Sequence, residues 1–177
     1  MKIIKKFLFW AALGMVASGI ASCGNENEPD EPAKSHCEGV YSGTLSLDIA
    51  DKATYSADIS VTVSEENDKT ITVTFPEYTL SATVMGNLTI GKLTISGLVY
   101  DAEKGGYFRN YGNLGLTQHF KAQQGERVTM DSDYPLNEPS SILVKFADNG
   151  SIVIENPYKI GAMPFPLTAF FSGNKPK

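Results

Sequence analysis

Residues 39–75 read GVYSGTLSLDIADKATYSADISVTVSEENDKTITVTF, and the period of this stretch decides the fold. Tyr41, Gly43, Leu45, Leu47 and Ile49 alternate with Ser42, Thr44, Ser46 and Asp48; Tyr55, Ala57, Ile59, Val61 and Val63 then alternate with Thr54, Ser56, Asp58, Ser60 and Thr62. Successive side chains of an extended strand point to opposite faces, so a period of two marks strands with one dry and one wet face. Residues 48–52 and 64–69 are the connections, and Ile71, Val73 and Phe75 face inward between threonines. Three strands joined this way form antiparallel hairpins.

Further along, Tyr78, Leu80, Ala82 and Val84 continue the inward face toward a Met85-Gly86-Asn87 turn, and Leu88 and Ile90 follow it. Gly91 breaks the parity, since the next inward pair is Leu93 and Ile95, and an extra residue in a strand is how a bulge shows itself in sequence. Residues 98–100 end this half. Ile142, Val144 and Phe146 then lead to Asp148-Asn149-Gly150 and to Ile152 and Ile154, a hairpin signal carried by Asn-Gly. The last strand is Phe165, Leu167, Ala169 and Phe171, with Pro164 and Pro166 placed where no ladder donor is needed. No segment sustains an apolar period of 3.6; the best candidate for a helical turn, residues 118–128, is mostly polar and contains Gly125. Residues 101–139 read as one long irregular stretch. The count is seven to nine strands in sequential hairpins. That predicts an all-β fold, a single antiparallel meander barrel of about eight strands, because closure removes the edges that a β-sandwich, the alternative, would expose.

At the N-terminus, Lys2, Lys5 and Lys6 precede an apolar run from Phe7 to Ala21, and Ile20-Ala21-Ser22-Cys23 closes it. The run is 15 residues, short of the ~20 that cross a bilayer core. A hydrophobe three positions before a cysteine, with small residues between, is a lipobox. Residues 1–22 are therefore expected to be a lipoprotein signal peptide, and Cys23 the lipidated first residue of the exported chain. Residues 23–35 are polar, acidic and interrupted by Pro29 and Pro32, with nothing to bury, and read as a disordered tether. Residues 36–177 form one domain. Removing residues 1–22 takes three of the 15 basic residues and none of the 20 acids, leaving a formal charge of −8. Such a chain repels nucleic acid and anionic lipid surfaces. Trp10 leaves with the signal, and once Cys23 is acylated Cys37 has no intramolecular disulfide partner, so a buried structural thiol is expected there.

The opening strand, Gly39-Val40-Tyr41-Ser42-Gly43-Thr44-Leu45, behind a lipobox and an acidic tether, resembles the calycin-like lipoprotein domains of Bacteroidetes. The resemblance implies a lipocalin-like meander barrel over nearly the whole exported domain. It also implies an address, since the acidic run after Cys23 is similar to the signal that sends such lipoproteins to the outer leaflet of the outer membrane. No activity comes with it.

Catalytic constellations are missing. Neither His36 nor His119 has a serine or cysteine at a strand-to-helix elbow, no Gly-x-Ser-x-Gly occurs, and His36 and Cys37, adjacent on an extended chain, point apart. No paired-cysteine or His-x-x-x-His spacing offers a zinc scaffold, and no glycine loop cradles a phosphate. The expectation is a protein that is not an enzyme and uses no cofactor or metal. Asp131, Ser132, Asp133, Tyr134, Asn137 and Glu138 could gather oxygens for calcium but lack the ligand-loop glycine, and read as a solvated acidic loop.

Gly105-Gly106-Tyr107-Phe108-Arg109-Asn110-Tyr111-Gly112 offers stacking faces and donors between glycines. Tyr107, Phe108, Arg109 and Tyr111 are the candidate ligand-binding residues on an exposed loop; the competing reading makes the aromatics a plug for one end of the barrel. Two functions follow. One is a lipid-anchored envelope binding module for a small apolar molecule or a glycan; the alternative is a non-catalytic accessory subunit docked on other envelope proteins. A cavity above ~300 Å³ with convergent polar groups favours the first, and a barrel filled by its own side chains the second.

Overall fold

In the computed structural model, which describes residues 37–49, 53–67, 69–162 and 167–176, the alternation becomes twelve strand segments. They are β1 (Gly39–Ile49), β2 (Ala53–Asn67), β3 (Thr70–Phe75), β4 (Tyr78–Thr83), β5 (Gly86–Ile90), β6 (Leu93–Asp101), β7 (Gly106–Asn110), β8 (Thr117–Gln124), β9 (Arg127–Asn137), β10 (Ser141–Phe146), β11 (Ser151–Ile160) and β12 (Leu167–Asn174). Every pairing is antiparallel, and no helix occurs among the described residues. β1, β2, β3, β6, β7, β10, β11 and β12 close an eight-stranded barrel, with β1 on β12 and β10 on β11. The expected signal peptide at 1–22, Cys23, the expected tether at 23–35, His36, the connection at 50–52, and Pro164, Phe165 and Pro166 lie outside the described residues.

The other four strands prolong barrel strands past an interruption. Phe75 pairs with Leu93 and Tyr78 with Ile90 on one register, which runs through Pro76-Glu77 on one side and Gly91-Lys92 on the other. Pro76 has no N–H to give a ladder. At Gly91 a Cβ would lie 2.8 Å from that of His119, so a glycine lets β5 and β8 approach. β8 follows β7 after residues 111–116, and β9 reaches β10 through the cis Glu138-Pro139 peptide. β11 pairs with β10 between Ile152 and Glu155 and with β9 at Lys159 and Ile160. The result is an elongated barrel with two halves. Between β2 and β4 the described residues carry no backbone ladder, and Val84 N donates to the Tyr55 hydroxyl at 3.3 Å.

Parity assigns the core correctly over most of the chain: Tyr41, Leu45, Leu47, Val61, Val63, Ile71, Val73, Ile142, Val144, Ile152, Ile154 and Phe171 are all buried. Two expectations fail. Residues 101–139 are not irregular but hold β7, β8 and β9, and the helical candidate at 118–128 is the β8–β9 hairpin. Its apolar alternation is faint because Gln118 takes an inward position beside Phe120 and Ala122, while β9 is exposed along most of its length. Ala82 and Val84 are exposed rather than inward, since a register shift between Leu80 and Thr83, with Ala82 at a φ of 55°, reverses parity and buries Thr83. The turn accordingly falls at Val84-Met85.

Candidate functional site

The barrel interior is filled in one half and open in the other. In the filled half, at the end where β1 begins, Tyr41 and Tyr107 each pack a ring 6.0 Å from Phe146, and Tyr100 lies 5.5 Å from Tyr107. The Tyr41 hydroxyl donates to the carbonyl of buried Cys37 at 2.8 Å, and Lys175 Nζ stands 5.4 Å over the Tyr41 ring. Burial, and next the Cys37 thiol, push the Tyr41 hydroxyl up to about 12.

At the waist, where the four strands are interrupted, polar side chains enter the interior. Tyr111 donates to Asn156 Oδ1 at 2.5 Å, and Gln118 Nε2 donates to the Gly91 carbonyl at 2.6 Å. The Tyr78 and Tyr158 phenols meet in the same layer. Burial raises the hydroxyls of Tyr78, Tyr111 and Tyr158 well above the ordinary tyrosine value, so all three stay neutral. Such a layer is tolerated because its members satisfy one another.

Beyond the waist, toward the end where β1 stops and β12 starts, lies a cavity of about 490 Å³. β1 contributes Leu47 and Ile49, and β12 contributes Leu167. Met85, from the β4–β5 turn, and Leu88 on β5 form one side. Phe120 on β8, Met130 and Tyr134 on β9, then Ile160 and Ala162 complete the lining. The space is walled by side chains from β1, β5, β8, β9, β11 and β12. Its volume is within the range of ligand sites, above the ~300 Å³ floor. Among the described residues its polar groups do not converge: the lining they form is aliphatic, thioether and aromatic, with the Tyr134 phenol as the one oxygen-bearing side chain.

The glycine-flanked segment proposed as an exposed recognition loop is strand β7, paired with β6 and β10. Tyr107 and Tyr111 are buried at 3% and 0% exposure, against the expectation of partly exposed rings. Phe108 and Arg109 are half-buried: Lys104 Nζ lies 4.7 Å over the Phe108 ring, and the Arg109 guanidinium donates to the Ser96 carbonyl. The structure does not gather the four around one space; β7 sends Tyr107 inward and Phe108 outward, as a strand must. The acids expected in a loop lie on β9, where Asp131 and Asp133 flank His119 at 3.1 and 2.9 Å and Asp131 also meets Lys121 at 3.4 Å. The lining residues of the cavity went unnoticed in sequence because they come singly from separate strands.

Residues 37–174 match the family of calycin-like β-barrel domains. A solved structure from Bacteroides fragilis, described as a "putative outer membrane protein", is similar with a TM-score of 0.52 at 20% identity, over 80% of this chain and 52% of that one. The chain thus spans about half the length of that protein, and at this identity the likeness is one of fold. No curated protein matches the chain. With the family matched over the whole closed barrel, from Cys37 to Asn174, the chain belongs to the calycin-like β-barrel domains.

Proposed function

We propose that this protein is a lipid-anchored binding module of the bacterial cell envelope that takes a small apolar molecule into the open half of its barrel. The observation that carries the reading is the apolar cavity of about 490 Å³ beside a half that is fully packed. A barrel whose purpose was only to present a surface would gain stability by filling both halves, since each buried methylene contributes about 0.8 kcal/mol. Apolar walls supply affinity by removing ligand surface from water. None of the described residues lining the cavity is a serine, cysteine, histidine or carboxylate, and the proposed role is binding rather than catalysis. The lipobox at Cys23 supports an anchored protein, and the acidic residues behind it support the outer membrane as its address. The net charge of −8 on the exported chain argues for a neutral ligand or an envelope protein, and against nucleic acid, as partner.

The test uses the chain from residue 23 onward with Cys23→Ser, so that no attached lipid competes, titrated with the neutral fluorophore N-phenyl-1-naphthylamine. Saturable binding is expected, and Leu88→Trp, which places an indole in the cavity, should abolish it while the circular dichroism of the barrel is unchanged. No saturable binding by the parent chain would sink the proposal and leave the accessory-subunit reading in its place.

A further inference from the structure

We infer that Tyr134 sets the specificity of this cavity, and that its ligand is an uncharged, largely hydrocarbon molecule bearing one hydrogen-bonding oxygen; this rests on the apolar-binding reading above. The interior tyrosines fall into two groups. Tyr41 donates to Cys37, Tyr111 to Asn156, and Tyr78 meets Tyr158. Tyr134 differs. Its ring is held in place: its backbone pairs with Gln118, Phe120 makes an edge contact at 6.0 Å and 68°, and Gly161 passes close enough that a Cβ there would lie 3.9 Å from its Cδ1. Its hydroxyl has no hydrogen-bond partner among the described residues. A positioned phenol whose donor and acceptor meet no described residue, among described walls that otherwise offer only the weak acceptor sulfurs of Met85 and Met130, is where a ligand oxygen finds a partner.

The charge of the ligand follows from the same walls. None of the described residues lining the cavity is Lys, Arg, His, Asp or Glu. A carboxylate or ammonium drawn inside would lose its hydration without meeting a counter-charge, whereas an alcohol, ketone or ester exchanges one water hydrogen bond for the tyrosine's. The cavity therefore distinguishes a fatty alcohol from a fatty acid of the same length.

The decisive experiment is a cycle of two proteins and two ligands: the parent chain and Tyr134→Phe, each with N-phenyl-1-naphthylamine displaced by 1-octanol or n-octane. Phenylalanine keeps the ring and its packing, so the fold is unchanged. The substitution should weaken 1-octanol roughly threefold to tenfold and leave n-octane unaltered. Equal changes for the two ligands, or none for either, would overturn the role of Tyr134 while leaving apolar binding intact. Octanoate at pH 8 should bind at least about tenfold more weakly than 1-octanol, given the desolvation of its charge; equal affinity would overturn the requirement for an uncharged ligand. Displacement by neither octane nor octanol would overturn the binding reading itself, and this inference with it.

Discussion

Tyr111 and Asn156, 45 positions apart in the chain, share a hydrogen bond of 2.5 Å at the barrel waist, from the phenol to the amide oxygen, with both side chains buried. This bond explains why an aromatic residue beside glycines is interior rather than a recognition surface: its hydroxyl has a partner that only the folded barrel supplies. Tyr111→Phe should cost about 1–3 kcal/mol, the penalty of a buried amide oxygen that loses its donor. The double change Tyr107→Ala with Tyr111→Ala removes two buried rings, each worth about 3–5 kcal/mol, and should unfold the domain. Urea midpoints measure both, and a double variant that melts near the parent temperature would restore the exposed-loop reading.

Gly43 closes the barrel. It pairs with Gly173 across β1 and β12, and a Cβ on it would lie 2.0 Å from the Ser172 carbonyl oxygen and 2.5 Å from Gly173 Cα. Neither obstacle is a flexible side-chain end, so the strands would have to part. Gly43→Ala should cost about 2–3 kcal/mol, and Ser56→Ala, exposed on β2, within about 0.5 kcal/mol. Equal denaturation midpoints for the two would count against the closure described here.

Alkaline pH should unfold the protein through its interior tyrosines. Tyr41 is raised to about 12, and Tyr78, Tyr111 and Tyr158 are raised further, by burial in each case. The fold thus favours the neutral phenol: the stabilisation is complete below the unfolded value of 10.0 and is lost as pH rises through 10 toward 12 and above. Absorbance at 295 nm, followed with near-ultraviolet circular dichroism, should show Tyr41, Tyr78, Tyr111 and Tyr158 still un-ionised at pH 10 with the fold intact. These four should ionise at higher pH, together with loss of the near-ultraviolet signal. A single ionisation step near pH 10 for all eight tyrosines of the chain, with no unfolding, would contradict this.

The fold was legible wherever one face of a strand is dry. Leu45, Leu47, Val61 and Val73 announce themselves by alternation with serine and threonine, and Asn149-Gly150 marks its hairpin. It was illegible where the interior is not apolar or not filled. Gln118 breaks the pattern on β8 because the waist needs a donor for the Gly91 carbonyl, and β9 shows little apolar face because part of what it faces is the open cavity. The regions that hid their strands are therefore those that build the candidate site. The site itself could not be read from spacing, because Leu47, Leu88, Phe120, Tyr134 and Ile160 converge only once five strands are wound into one wall.

Leu45 and Leu47 make the sharpest comparison, since they sit two positions apart on β1, both at 0% exposure, on either side of the boundary between packed and open interior. Leu45 borders the tight waist with Tyr78, Gln118 and Asn156, while Leu47 lines the large cavity. Truncating Leu45 leaves a new closed void among polar neighbours that cannot collapse into it, and should cost near the upper end of the 2–5 kcal/mol spanned by leucine truncations, about 4 kcal/mol. Truncating Leu47 only widens a space that already exists, and should cost about 2–3 kcal/mol, mostly lost transfer energy. Apolar ligand separates the two again. Saturating 1-octanol at about 100 times its dissociation constant should stabilise the parent and Leu45→Ala by about 2.7 kcal/mol alike. It should stabilise Leu47→Ala by a different amount, because only that variant has an altered cavity wall. Thermal melts with and without 1-octanol give all the values needed, and an identical ligand shift in the three proteins would place the ligand somewhere other than beside Leu47.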